Sequence, residues 1–383
     1  MKRIFKAAAV MIIFVLMIYA VSLAASAEEA QIPESLISSS GADDITDSLS
    51  PDIKDVLDKY GIEAGNPDAA GETGVWDVMD GVLSAVASQL GMPLQIFTIL
   101  TAVTAFSAFA GAMQGGLKNG TDQISGMVIV MAGAAASVPQ VCGSFLRVKE
   151  TLTQCTDFMT AFTPVFAGIV ITGGNPGTGI SYYTAVYALV SVIMQVTGNI
   201  ILPVLSMCLA LSVADAVSPS VNMGGILRFM KSFVTWSLGL LMTVFLGVLS
   251  VQGIVRSAAD TFTTKTARFV VSNFVPFVGG AVSDAYSTVL GSLRVLRSTT
   301  GFVGIAAICI LFLPVIIELV LCRFAVSGAA AVSELFAVDA ITKLLKGIEL
   351  TLQMTLAVII CFSVMFLVAI ALVLMVSTGS FGG

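Results

Sequence analysis

Histidine is absent from the 383-residue chain, and the other groups that build metal or catalytic sites are sparse. Its six cysteines include no CxxC pair, and most lie in or beside apolar runs. The sequence therefore predicts neither a metal site nor a disulfide framework. It also lacks the P-loop, GxSxG and HExxH motifs. We therefore expect a protein that is not an enzyme, holds no cofactor and takes any energy for transport from a partner or an ion.

Charge is also scarce, at 11% of residues against about 25% in an ordinary soluble domain. Hydrophobic residues make up 57% of the chain, and six apolar runs approach or exceed the roughly 20 residues that a membrane-spanning helix needs. These runs are Met92–Met113, Ile124–Val141, Tyr183–Val213, Ser232–Gln252, Phe302–Cys322 and Thr351–Val376. The pattern predicts an all-α, polytopic transmembrane bundle of about six to eight spans.

Two shorter apolar stretches leave the number of spans open. Phe158–Ile171 contains Pro164, and Phe269–Val282 contains Pro276 together with Gly279 and Gly280. Each stretch is interpreted as a span, a re-entrant hairpin or a buried loop, since irregular backbone at membrane depth needs protein or water around it. The counts of Lys and Arg in the connectors do not decide the side of the C-terminus.

These two stretches also resemble each other, because Phe162-Thr163-Pro164-Val165-Phe166-Ala167-Gly168 aligns with Phe274-Val275-Pro276-Phe277-Val278-Gly279-Gly280. They indicate a diverged internal repeat with halves near residues 92–182 and 184–322. Segments interrupted by Pro or Gly at matching positions of two halves are typical of a translocation site. Pro164, Pro276, Gly279 and Gly280 are therefore candidate conduit residues.

The first 90 residues differ from the rest. Residues 1–27 have a basic start, an apolar centre and an Ala25-Ser26-Ala27 ending, which predicts a cleaved signal peptide, with an uncleaved anchor as the alternative. Residues 28–90 carry fourteen Asp and Glu residues and two lysines. They predict an acidic extracytoplasmic segment with amphipathic helices, either a contact for a basic partner or a solvated spacer. Residues 91–383 form the predicted transmembrane domain.

Glu318 is the most costly residue in the apolar runs, four residues after Pro314 and five before Arg323. A carboxyl group in a membrane helix faces the bundle interior and is paired or protonated. A break at Pro314 would free backbone carbonyls beside it. Glu318, Pro314 and Arg323 are candidate conduit or coupling residues. The alternative is a structural pair of Glu318 with Arg323 or with a neighbouring helix.

An amphipathic stripe, from Val282 to Leu296, precedes the apolar run that starts at Phe302. Asp284, Arg294 and Arg297 lie mainly on its other faces, and they are candidate partner contacts. The stripe is interpreted as packing or membrane contact, or as a coupling helix against another subunit.

An ordered series of short motifs carries a family resemblance. After the signal peptide and an acidic helix at Pro51–Gly61 come Ser250-Val251-Gln252-Gly253, Ala258-Ala259-Asp260, Lys265, Phe274–Gly280, Ser283-Asp284-Ala285 and Gly291-Ser292. The chain resembles the stage III sporulation protein AE family. The resemblance implies a multi-pass protein of the mother-cell membrane around the forespore, with its mature N-terminus extracytoplasmic. It also implies other stage III sporulation membrane proteins as partners, including a separate ATPase and ring-forming subunits.

Three functions are compatible with these observations. The first is a non-enzymatic channel or permease-like subunit of a sporulation secretion or feeding-channel complex between mother cell and forespore. The second is an ion-coupled secondary transporter with a site around Glu318. The third is a membrane scaffold that recruits the ATPase and ring subunits without forming a conduit.

Overall fold

A computed structural model describes residues 90–114, 121–172, 176–217, 223–274 and 279–377. The predicted signal peptide, the predicted acidic segment up to residue 89 and Pro276 lie outside these ranges. The described part of the chain is helical and contains no strand. Its helices are α1 (Gly91–Gln114), α2 (Thr121–Thr172), α3 (Pro176–Val196), a π-helical turn (Thr197–Ile201), α4 (Leu202–Val217), α5 (Gly224–Phe274), α6 (Gly279–Leu335) and α7 (Asp339–Ser377).

The all-α, multi-pass prediction is confirmed. Within the described ranges six helical segments are long and apolar enough to cross a bilayer: Gly91–Phe109, Met127–Thr172, Gly179–Val217, Gly224–Val251, Val303–Leu335 and Asp339–Ala371. Several are far longer than the predicted runs. The 52 residues of α2 correspond to about 78 Å, more than twice the roughly 30 Å of a hydrocarbon core. Part of α2 therefore extends beyond the bilayer, or the helix is strongly tilted.

Phe158–Ile171 is neither a separate span nor a re-entrant hairpin, which corrects that interpretation. It forms the last part of α2, and Pro164 lies inside the helix. Phe162 stacks between Phe158 and Phe166, at centroid distances of 5.3 and 5.1 Å, and all three rings are buried. Such packing stabilises a helix across a proline, even though proline lacks the N–H that would donate one backbone hydrogen bond.

The proposed internal repeat is only half described. Phe162–Gly168 lies within α2, whereas α5 is described up to Phe274 and α6 from Gly279, so that residues 275–278 of the second stretch lie outside the described residues. The repeat stays a prediction from sequence.

The core lies around α6, which packs on α7, α1 and α2, while α2 also packs along α3. Small residues permit the closest approaches. A Cβ on Gly304 of α6 would lie 2.7 Å from the Phe162 ring of α2, and one on Gly347 of α7 would lie 2.5 Å from Ser212 of α4. Close approach through small residues is the usual basis of helix association in lipid. The contact of Gly304 with Phe162 fixes the position of α6 along α2.

The connection between α6 and α7 is a tight helix end. Ala337 has φ of 52°, in the left-handed region that favours glycine. Its N–H donates to the carbonyl of Glu334 at 3.1 Å, and the N–H of Val338 donates to the carbonyl of Ser333 at 3.2 Å. These two bonds form a Schellman motif with alanine in the position that glycine usually takes.

Candidate functional site

Glu318 forms an ion pair with Arg147 between α6 and α2. The carboxylate is buried, with 5% of the residue exposed. The same guanidinium nitrogen of Arg147 lies 3.4 Å from Ser144 Oγ and 3.1 Å from Met92 Sδ. Arg147 was not among the predicted site residues. Because a buried charge is retained only when it is paired, this contact explains how α6 accommodates a carboxylate in an apolar run.

Arg323 does not pair with Glu318. Its guanidinium lies 3.6 Å from the carboxylate of Glu349 on α7. Glu318 and Arg323 are five positions apart on α6, which corresponds to about 500° of rotation at 3.6 residues per turn. Their side chains therefore point to different neighbouring helices. Two structural partners were considered for Glu318, namely Arg323 and a neighbouring helix, and the structure shows the second.

A third pair continues this series along α6. Glu334 accepts from Lys346 Nζ of α7 at 2.6 Å, and both side chains are more than half exposed. Beside it, Ser333 Oγ lies 2.6 Å from Thr342 Oγ1, and this contact is buried. Glu318, Arg323 and Glu334 of α6 are thus each paired with an oppositely charged residue of an adjacent helix. The inner pair bears most on stability, because exposed pairs contribute little.

The remaining candidate conduit residues are not gathered into one site. Pro314 lies one turn before Glu318 within a helix that continues through it, so no break forms there. Pro164 lies 17 residues beyond Arg147 on α2, about 26 Å along the helix. Gly279 and Gly280 begin α6, about 58 Å from Glu318 along the same helix.

The predicted amphipathic stripe Val282–Leu296 is part of α6 and continuous with the helix that carries Glu318. The side chains of Asp284, Arg294 and Arg297 lie outside the described set. Their role as partner contacts stays a prediction.

The structure reveals a polar face on α2 that sequence reasoning missed. We call it the α2 polar stripe, and its members are all exposed: Lys149, Glu150, Thr153, Gln154, Asp157 and Thr160. Their spacing of one, three, one, three and three residues places them on one side of a helix. The hydroxyls of Thr153 and Thr160 donate to backbone carbonyls of their own helix, at 3.0 and 2.8 Å. Within the described part of the chain, the three charged members form no ion pair.

Two contacts fix the position of this stripe relative to α6. Arg147 pairs with Glu318 just before the stripe, and Phe162 meets Gly304 just after it. The stripe therefore runs beside residues 304–318 of α6. Before Glu318 that segment contains no charged residue, and it belongs to a span with a mean hydropathy of 2.9. The polar stripe thus lies at the level of one of the most apolar segments of the bundle.

The described residues contain no group of three or more Cys, Asp or Glu side chains placed to hold a metal ion.

Comparison with known proteins gives the family. Residues 58–377 match the family described as stage III sporulation protein AE. A similar protein is "Stage III sporulation protein AE" of Bacillus subtilis (strain 168), which is 27% identical over 168 residues. That alignment covers 44% of this chain and 42% of the relative, so less than half of either protein is aligned. No solved structure matches the chain. The length of the family match shows that this multi-pass membrane protein belongs to the stage III sporulation protein AE family.

Proposed function

We propose that the chain is a non-enzymatic, channel-forming or permease-like subunit of a sporulation complex that links mother cell and forespore. The observation that carries the proposal is the α2 polar stripe, which is exposed at the depth of an apolar span. In the assembled complex the stripe faces a water-filled path.

The energetic argument concerns the three charged members of the stripe, Lys149, Glu150 and Asp157. A charged side chain at the centre of a lipid-facing helix costs roughly 2.5–3.5 kcal/mol on insertion scales. Three such costs together are comparable with the whole stability of a typical domain, about 5–15 kcal/mol. At the level of that apolar span, lipid is an unfavourable environment for this face, and water or another protein surface is favoured in its place. Water is the simpler environment, because the stripe mixes both signs of charge and its Thr hydroxyls already have partners.

Membership of the family supports a proposal for the cellular setting. We place the chain in the mother-cell membrane around the forespore, with its acidic N-terminal segment on the extracytoplasmic side. A separate ATPase supplies energy, since the sequence has no P-loop, and ring-forming subunits extend the path. A fluorescent fusion that fails to surround the forespore would contradict this location.

The test of the channel proposal replaces three stripe residues together, as Lys149→Leu, Gln154→Leu and Asp157→Leu, in the sporulating bacterium that carries the chain. The matched control is Thr184→Leu with Ser191→Leu, at exposed polar positions of α3. We expect the stripe variant to reach the membrane in normal amounts and to abolish spore formation, while the control sporulates. Normal sporulation by the stripe variant would overturn the proposal.

The scaffold alternative gives a different result with the same variant. If the stripe is a dry contact with another subunit, the triple Leu variant is no longer recovered with its partners after gentle solubilisation. If the stripe lines water, the variant assembles and only transfer between the two cells is lost.

The ion-coupled transporter is less well supported by the geometry. Glu318 is held in an ion pair with Arg147 and is buried against α2. The ion pair instead has the features of a structural contact between two spans.

A further inference from the structure

A surface groove of about 260 Å³ lies between α5 and α7, away from the ion pairs and the polar stripe. Most of its wall is apolar and is formed by Val234, Leu238, Gly239, Met242, Met354 and Ala357. Counted from the N-terminal end of each helix, Lys231 is the first lining residue on α5 and Gln353 is the first on α7. Cys361 Sγ lies 3.9 Å from the Leu238 carbonyl oxygen, so α5 and α7 lie side by side at this point. The groove therefore has one polar end and an apolar length.

The groove opens on the outside of the bundle. Thr235, Gly239 and Ala357 are exposed, and no atom lies within 4 Å of where a Cβ on Gly239 would be. The lining runs from Lys231 to Met242, about 16 Å along α5, or about half of the roughly 30 Å hydrocarbon thickness. Its length thus matches the acyl region of one leaflet.

The polar end is positively charged. No carboxylate among the described residues lies within ion-pair distance of Lys231. Arg228 lies one turn earlier, with its Nε bonded to the Gly224 carbonyl at 3.2 Å. Both residues lie within the first eight positions of the span Gly224–Val251. Basic residues near the end of a span mark the headgroup region.

We propose that this groove binds an anionic phospholipid, with one acyl chain along Val234–Met242 and the phosphate at Lys231. The assignment rests on the combination of an unpaired cation at one end, an apolar channel of leaflet length and an opening toward lipid. It does not depend on the proposed channel function.

The test uses the full chain, purified in mild detergent and placed in nanodiscs of equal parts phosphatidylglycerol and phosphatidylcholine. Retained lipid is then identified by native mass spectrometry. Gly239→Leu fills the groove, and its control, Gly247→Leu, adds the same side chain to another open position on α5. Lys231→Gln removes the charge, and its control is Lys343→Gln on the exposed face of α7.

We expect the native chain and both controls to retain phosphatidylglycerol in preference to phosphatidylcholine. Gly239→Leu should lose the retained lipid of either kind. Lys231→Gln should keep lipid but lower the preference about fivefold, the factor that corresponds to about 1 kcal/mol for a basic residue near an anionic headgroup. Equal retention by all variants would overturn the proposal. It would also fail if Gly239→Leu abolished contact with another copy or subunit without changing lipid retention, because the groove would then be a helix-packing surface.

Discussion

Arg147 of α2 and Glu318 of α6 neutralise each other within two membrane spans, 171 positions apart in sequence. The pair joins helices that also meet at Phe162 and Gly304, so it fixes both the charge and the register of this contact. Removing Arg147 leaves the Glu318 carboxylate buried and unpaired, which is more costly than removing both side chains.

This pairing makes a prediction for single and double variants. Arg147→Gln should lower the free energy of unfolding by about 3–5 kcal/mol and Glu318→Gln by less, because the Arg147 side chain is 37% exposed, whereas the double variant should recover most of the larger loss. The measurement is reversible unfolding of the purified chain in mixed micelles.

Lys346→Gln is the matched control, because it breaks the exposed pair with Glu334 and should cost less than about 1 kcal/mol. A double variant no more stable than Arg147→Gln would contradict the pairing.

The helix end at Ala337 predicts stabilisation by a substitution. Ala337→Gly should raise the free energy of unfolding by about 1 kcal/mol, because an L-residue with a Cβ is disfavoured in the left-handed region. Ala331→Gly, at an exposed helical position six residues earlier, should lower it by about 1 kcal/mol. Thermal unfolding of the two variants tests the difference, and equal effects of the same sign would show that the left-handed conformation is not present.

The contact between α2 and α6 predicts an overpacking effect. Gly304→Ala should destabilise the bundle by about 1–3 kcal/mol, since the new methyl group would press on a Phe162 ring that is stacked between Phe158 and Phe166.

Gly247→Ala is the control for helix propensity, because nothing lies near its added Cβ. It should be neutral or stabilising by up to about 1 kcal/mol. A stabilising Gly304→Ala would mean that α2 and α6 are not in close contact at this level.

Sequence reasoning predicted the helical, multi-pass architecture because long apolar runs with little charge permit few other folds. It also identified Glu318 as a buried carboxylate that needs a partner. It did not find Arg147, because a residue 171 positions away becomes a neighbour only through tertiary packing. It interpreted Phe158–Ile171 of α2 as a span, a re-entrant hairpin or a buried loop, since the local cost of Pro164 carried more weight than packing by distant side chains.

The α2 polar stripe was missed for a related reason. Lys149–Asp157 lies between two apolar runs, and such a polar segment is typical of a connector between spans. Only the contacts of Arg147 with Glu318 and of Phe162 with Gly304 show that it lies inside one long helix, beside an apolar part of α6.

Cysteine accessibility of the stripe in the assembled complex tests the central claim most directly. In a Cys-free chain in sporulating cells, single cysteines replace Gln154 and Thr160 on the stripe, and Val244 at an exposed apolar position of α5. The account predicts that a small, charged thiol reagent labels the two stripe positions and leaves Val244→Cys unlabelled. Stripe cysteines that are as inert as Val244→Cys would show that no water reaches this face, and would contradict the account.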